Sequence, residues 1–328
     1  MKMGQRHAIL NAIALLLSPS SLFSNPGIHY HAGMATFDIK IPGRPLLSFE
    51  FFPPKTSAGE ARFWESLVAL ARYQPDFISV TYGAGGGDRE NTGRLVCEVQ
   101  DRLSLTAMPH LTCIGESRIN LEALLSHYEQ KGITHVMALR GDRSDQMPPD
   151  ALTQGAFGSA DAFVTFIRQR YPHLRIGVAC YPECHPEAKD RQADLAYYRR
   201  KIQAGGDFAI TQFFYDNDAY ERFVADNRQA GVCVPVIPGI MPITDFKQIK
   251  RFATLCGAQL PGWLVARLEE AREDPVAMQE IGIDVAIQQC RDLLDRGAPG
   301  LHFFTLNRAE VVGRVLEALH GAPTWGGS

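Results

Sequence analysis

The sequence has no dense cysteine framework, no long apolar span, no surplus of charge and no internal repeat, and each absence closes off a class of protein. Its 328 residues hold seven cysteines, at positions 97, 113, 180, 184, 233, 256 and 290, an odd and scattered set unlike the paired framework of a small secreted domain. A reduced, cytoplasmic setting follows. Cys180, Cys184 and His185 approach metal-ligand spacing, yet no second CxxC or HxxxH pair completes a tetrahedral set, so no metal is expected. The formal net charge of −3 provides no broad basic face for a phosphate backbone, which argues against nucleic acid as a partner. The most apolar stretch, Ala8 to Leu17, is too short to span a bilayer and contains Asn11, so no membrane association is expected.

That apolar stretch follows Lys2, Arg6 and His7 and precedes a Ser/Pro/Asn-rich segment, a pattern resembling a secretory signal peptide. Three readings fit it: an export signal, an amphipathic or disordered tail, and upstream sequence translated from a start codon set too early. Met34 opens Met-Ala-Thr-Phe-Asp-Ile, a natural beginning for a cytoplasmic enzyme, and we favour the third reading. Residues 1–45 are thus assigned to an N-terminal extension, 46–320 to a single catalytic domain and 321–328 to a C-terminal tail.

What is present is an apolar content of 45%, enough for a substantial core, and a regular alternation of short β-branched or aromatic runs with longer amphipathic ones. Strands are predicted at Leu46–Phe51, Phe77–Tyr82, Ala107–Thr112, His135–Leu139, Ile176–Tyr181, Phe208–Phe213, Val234–Ile237 and Leu301–Thr305. Helices are predicted at 60–73, 120–131, 160–171, 192–205, 218–231, 245–256 and 274–297, several ending at a glycine suited to a C-cap. Eight strands with crossover helices close into an α/β (β/α)8 TIM barrel without sheet edges. An open doubly wound sheet would carry a Gly-rich turn after its first strand, whereas Phe52-Pro53-Pro54 stands there. The stretch 143–155 after the fourth strand is the best candidate for a mobile loop.

In such a barrel the carboxyl ends of the strands build the site. They carry Glu50, Thr81 with Tyr82, His110, Arg140 with Asp142, Tyr181 with Glu183 and His185, Gln212, and Thr305 with Asn307 and Arg308. Glu50 lies within Leu47-Ser-Phe-Glu-Phe-Phe52, where desolvation disfavours the charged form and suits a carboxyl to general acid work. A buried structural glutamate paired to an arginine fits the sequence equally well. The glycines at 83 and 85–87 permit close approach of backbone to a ligand, or form only a turn. Arg199, Arg200 and Lys201 could meet a diphosphate, although a solvated helix face is the usual meaning of such a run.

Seven ordered motifs go beyond this generic reading: Ser48-Phe-Glu-Phe-Phe-Pro-Pro54, Val80-Thr-Tyr-Gly83, Pro109-His-Leu-Thr-Cys113, Ala138-Leu-Arg-Gly-Asp142, Tyr181-Pro-Glu-Cys-His-Pro-Glu-Ala188, Ile210-Thr-Gln-Phe-Phe214 and Thr305-Leu-Asn-Arg308. Together they closely resemble bacterial methylenetetrahydrofolate reductases from about residue 46 to about residue 312. The resemblance implies a barrel that binds FAD without a Rossmann fold and reduces 5,10-methylenetetrahydrofolate to 5-methyltetrahydrofolate by a ping-pong reaction with NADH or NADPH, supplying methyl groups for methionine synthesis. It also implies a homo-oligomer.

By the same resemblance Glu50 is the general acid and Asp142 the carboxylate beside flavin and pterin. Flavin contacts fall on Tyr82, Ala84, His110, Arg140, Gly141 and Asp142 in the first half of the barrel. In the second half they fall on Ala160, Tyr181, His185, Ala188, Asp194, Arg200 and Lys201. Thr81 takes a nicotinamide-side position, Gln212 contacts pterin or nicotinamide, and Gln248 and Arg308 contact folate. Tyr197 departs from the pattern, standing where a small polar residue is usual beside the adenosine. Two alternatives remain: a folate-linked methyltransferase barrel without flavin, and a catalytically silent flavin- or folate-binding protein.

Overall fold

A computed structural model describes residues 44–82, 89–142 and 155–320. The Gly-rich segment with Ala84, the stretch 143–154, the N-terminal extension up to residue 43 and the tail from 321 lie outside the described residues.

Nine parallel strand segments are formed: β1 Leu46–Phe51, β2 Phe77–Val80, β3 Ala107–Thr112, β4 His135–Leu139, β5 Arg175–Cys180, β6 Phe208–Thr211, β7 Val236–Ile237, β8 Gly239–Ile240 and β9 Gly300–Phe304. Their order is β7-β6-β5-β4-β3-β2-β1-β9-β8. This is an eight-stranded barrel with its seventh strand in two pieces, since only Pro238 separates β7 from β8. Proline brings no N–H to a ladder. Upstream of it Val236 and Ile237 pair with β6; downstream Gly239 and Ile240 pair with His302 and Phe303 of β9, which closes the ring. Gly239 lies so near β6 that a Cβ there would sit 2.3 Å from Thr211 O, a space only glycine leaves open. The predicted seventh strand thus begins two residues late and continues past its proline. The other strands match their predicted runs, with ends shifted by a residue or two.

Helices alternate with the strands: α1 Ser57–Ala71, α2 Arg89–Leu103, α3 Arg118–Gln130, α4 Ala160–Arg170, α5 Arg191–Gln203, α6 Asn217–Gln229, α7 Phe246–Cys256, α8 Gly262–Glu270, α9 Pro275–Asp295 and α10 Ala309–His320. The sequence reading did not isolate α2, α8 or α10. Side chains of Thr56, Ser117, Asp190, Asp216, Asp245 and Asp274 cap their helices by accepting a free first-turn N–H. Ser159 precedes α4 without such a bond, and the Ala160 N–H donates instead to Tyr197 Oη at 2.9 Å.

Strand alternation sorts the side chains into layers. Leu47, Phe49 and Phe51 point outward into the shell packed under the helices, while Leu46 joins Phe77, Met108, Met137, Phe208, Ile210 and Ile237 to plug the barrel interior. Full burial of each such side chain stabilises the fold by about 1.5–3 kcal/mol. Above this plug the inward positions turn polar, beginning with Ser48, Ser79 and His302, all fully buried.

Candidate active site

A cavity of about 560 Å³ opens over the carboxyl ends of the strands. Its wall is built from corresponding positions on successive strands: Glu50 from β1, Thr81 and Tyr82 after β2, His110 from β3, Arg140, Gly141 and Asp142 after β4, Tyr181 after β5 and Gln212 after β6. The loop after β5 and the helices α4 and α5 add His185, Ala188, Asp194, Lys201 and Ala160. The fold therefore gathers most of the residues named from the sequence into one chamber. Of the strand-end residues, Glu183, Thr305 and Asn307 are not in its lining, and three of those assigned by resemblance also lie elsewhere. Arg200 is exposed and paired with Asp161 at 3.2 Å, so the structure does not place it against the chamber. Arg308 is exposed and donates to Thr244 Oγ1 at 3.1 Å, and Gln248 lies in the first turn of α7 just beyond Thr244; neither is in the lining.

Glu50 is at the top of β1, only 7% exposed. Its Oε2 lies 3.3 Å from His110 Nε2 and 3.4 Å from His302 Nε2. His302 Nδ1 in turn shares a 2.8 Å hydrogen bond with Ser48 Oγ. If the serine hydroxyl donates, the remaining imidazole proton is on Nε2 and faces the carboxylate. Burial by itself raises the Glu50 pKa, but the two neighbouring imidazoles, His110 foremost, outweigh it and hold the carboxyl at about 2. Two sequence-based expectations are thereby corrected. The partner is a pair of histidines, not an arginine, and the carboxyl is held ionised, not neutral.

Other groups are shifted by the same enclosure. Burial lowers the pKa of Lys201, whose Nζ donates to Ala179 O. Burial also raises Asp194, whose Oδ2 accepts the His185 N–H at 3.1 Å. His185 is lowered, first by burial and then by Arg140, and packs edge-on against Tyr181 with ring centroids 4.6 Å apart. Arg140 pairs with Glu187 at 2.7 Å across the chamber mouth. Two buried atoms on the wall, Thr81 Oγ1 and His110 Nε2, have no hydrogen-bond partner; the approach of Nε2 to Glu50 has ion-pair distance without hydrogen-bond alignment. A buried polar group without a partner costs about 1–3 kcal/mol, which a bound group can recover.

His302 and Ser48 were missed as functional residues. An imidazole inside Leu-His-Phe-Phe has the look of a core residue, and only barrel closure sets it beside Glu50. Among the described residues no His/Cys/Asp/Glu group could hold a metal ion, and no helix is long and apolar enough to cross a membrane.

A polar chamber over the carboxyl ends of a parallel barrel, with a buried carboxylate–imidazole cluster at its floor, defines a (β/α)8-barrel enzyme. The family described as "Methylenetetrahydrofolate reductase" matches residues 37–320. The 5,10-methylenetetrahydrofolate reductase of Escherichia coli (strain K12) is 39% identical over 284 residues, covering 87% of this chain and 94% of the relative. That of Pectobacterium carotovorum subsp. carotovorum is 38% identical over 287 residues, covering 87% and 93%. An Arabidopsis thaliana relative named "Methylenetetrahydrofolate reductase (NADH) 1" is 37% identical over 275 residues, covering 81% of this chain and 46% of its own. This chain belongs to the methylenetetrahydrofolate reductase family. Among solved structures, a Clostridium thermocellum protein that binds two copies of 5-methyl-5,6,7,8-tetrahydrofolic acid aligns with a TM-score of 0.55 over 84% of this chain and 94% of that one; at 14% identity it shows the shared fold alone.

Proposed function

We propose that the enzyme reduces 5,10-methylenetetrahydrofolate to 5-methyltetrahydrofolate with electrons from NADH passed through FAD, in a ping-pong sequence that supplies methyl groups for methionine synthesis. The observation that carries this reading is the Glu50–His110–His302 cluster at the chamber floor, a buried acid–base group beside the space a ligand would fill. FAD, when bound, supplies the two-electron carrier between nicotinamide and folate. The residues present fit it: the buried Thr81 Oγ1 and His110 Nε2 await partners, Tyr82 and Tyr181 offer aromatic walls, and Arg140 with Lys201 offers positive charge to the diphosphate. Gly141, Ala160, Ala188 and Asp194 complete that wall, and Ala84 and Arg200 are assigned to it by resemblance. Glu50 passes the imidazole-held proton to the folate so that its five-membered ring opens. Asp142 favours the cationic character that then develops, while Gln212 and Thr81 orient the reacting ring. Gln248 and Arg308 hold the outer part of the folate. We further assign the active form to a cytoplasmic homo-oligomer. NADH as donor follows the name of the Arabidopsis relative.

The test is anaerobic mixing of the flavin-loaded protein first with NADH and then with methylenetetrahydrofolate. Bleaching of the flavin band by NADH and its return on adding folate is the expected result. A colourless protein that takes up no FAD would refute the flavin reading and favour a folate methyltransferase.

A further inference from the structure

The turn between β9 and α10 has unusual backbone beside the proton site. Leu306 and Asn307 are consecutive residues in the left-handed region, with φ of 50° and 56°. A Cβ crowds its own backbone there, and a bulky leucine rarely adopts it. Such a conformation persists where the surroundings over-determine it.

Those surroundings converge on β1. Thr305 N–H and Thr305 Oγ1 both donate to Glu50 O, at 3.1 and 2.7 Å. Asn307 N–H donates to Thr305 Oγ1 at 3.1 Å, tightening the turn. The Asn307 carboxamide grips Phe52 from both sides: Oδ1 accepts its N–H at 2.9 Å and Nδ2 donates to its carbonyl at 2.8 Å. Asn307 O accepts from Ser66 Oγ of α1 at 2.8 Å. The Leu306 side chain packs against the cluster around Phe213 and Ile243. Strand pairing between β1 and β9 ends at Glu50 with Phe304, so the carboxamide extends that ladder where the backbone has turned away. Phe52, held by it, is part of the chamber wall.

We propose that Asn307 is a positioning residue for the proton site, clamping β1 just beyond Glu50 so that its carboxylate stays within reach of both imidazoles. The inference rests on the reading of Glu50 as the group that delivers the proton. Asparagine suits the place because it tolerates the left-handed region and its side chain both donates and accepts. Aspartate keeps the bond from Phe52 N–H but cannot donate to the carbonyl. Glycine keeps the backbone and loses both bonds.

The test compares Asn307→Gly, Asn307→Ala and Asn307→Asp in anaerobic half-reactions of the flavin-loaded enzyme, together with NMR titration of the imidazoles in the flavin-free protein. Reduction by NADH should be unchanged, and reoxidation by methylenetetrahydrofolate should slow by about tenfold to a hundredfold in the Gly and Ala variants. The Asp variant should fall between them and the parent. The titration of His110 and His302 should move in the Gly variant, an effect that a purely structural role would not produce. If Asn307→Gly keeps the parental folate step and the parental titration, or slows both half-reactions equally, the positioning role is overturned. Should the Gly and Ala variants not fold, Asn307→Asp decides on the same readouts. Glu50→Gln, run beside them, separates the two ideas: if it leaves folate reduction intact, the proton-delivery reading itself has failed.

Discussion

Replacing Glu50 by glutamine removes a charge and keeps the shape, and the geometry around it sets the size of the effect. The imidazoles hold the carboxyl at about 2 against an ordinary 4.5, overcoming the opposing cost of burial, so the ionised form is the one the site favours. Glutamine keeps the shape and removes both the negative charge and the acidic group from beside His110 and His302. A general acid contributes about 10²–10⁴ in rate, or roughly 3–5 kcal/mol. In stopped-flow half-reactions, Glu50→Gln should therefore bleach normally with NADH and recover with folate more slowly by about 10²–10⁴. Stability carries a second signature. Because the folded pKa is depressed, the stabilisation is complete above about 4.5 and is lost as pH falls through about 2. The acid limb of the parent should thus exceed that of Glu50→Gln across this window. Equal losses in both half-reactions would mean that Glu50 only supports the structure, and the mechanism would be wrong.

Three further outcomes are expected. Tyr197→Phe removes the hydroxyl that accepts the Ala160 N–H at the start of α4, so it should cost about 1 kcal/mol in thermal stability and weaken FAD uptake by the flavin-free protein; unchanged melting and uptake would contradict the cap. Gly141 has φ of 90°, and a Cβ there would lie 2.7 Å from Ile114 Cγ2, so Gly141→Ala should lower the unfolding free energy in denaturant by about 2–4 kcal/mol and impair flavin retention. A parental midpoint would refute that contact. Burial, then Arg175, lowers the His135 pKa to about 4, so its contribution is complete above about 6.5 and is lost as pH falls through that window to about 4. Partial exposure reduces the effect to about 1–2 kcal/mol, and His135→Gln should flatten the stability profile between those limits.

The strands were legible because each is a short apolar run bounded by polar turns, as in Leu46–Phe51 and Phe208–Thr211. Helix α2 was not: Arg-Glu-Asn-Thr-Gly-Arg opens it, and its core residues Leu95, Val96 and Val99 are too few to stand out before the fold is known. The predicted seventh strand stops at Ile237, and proline at the next position ends a ladder locally; only the position of β9 shows pairing resuming on the far side. Glu50 drew attention as a lone acid among aromatics, but its protonation state depended on His110 and His302, which are 60 and 252 residues away in sequence. Periodicity reports which face a residue takes and is silent on which side chain it meets.

The ring of strands has a consequence for the chain as it is made. Glu50 and His302 meet only when the last strand docks beside the first, and that long-range pairing carries the greatest loop-closure cost in the barrel. A nascent chain that has formed its first six strands already displays much of the chamber wall and lacks the finished acid–base group. On the proposed mechanism, a chain that stops short of β9 lacks the Glu50–His302 contact and should not carry out the folate step.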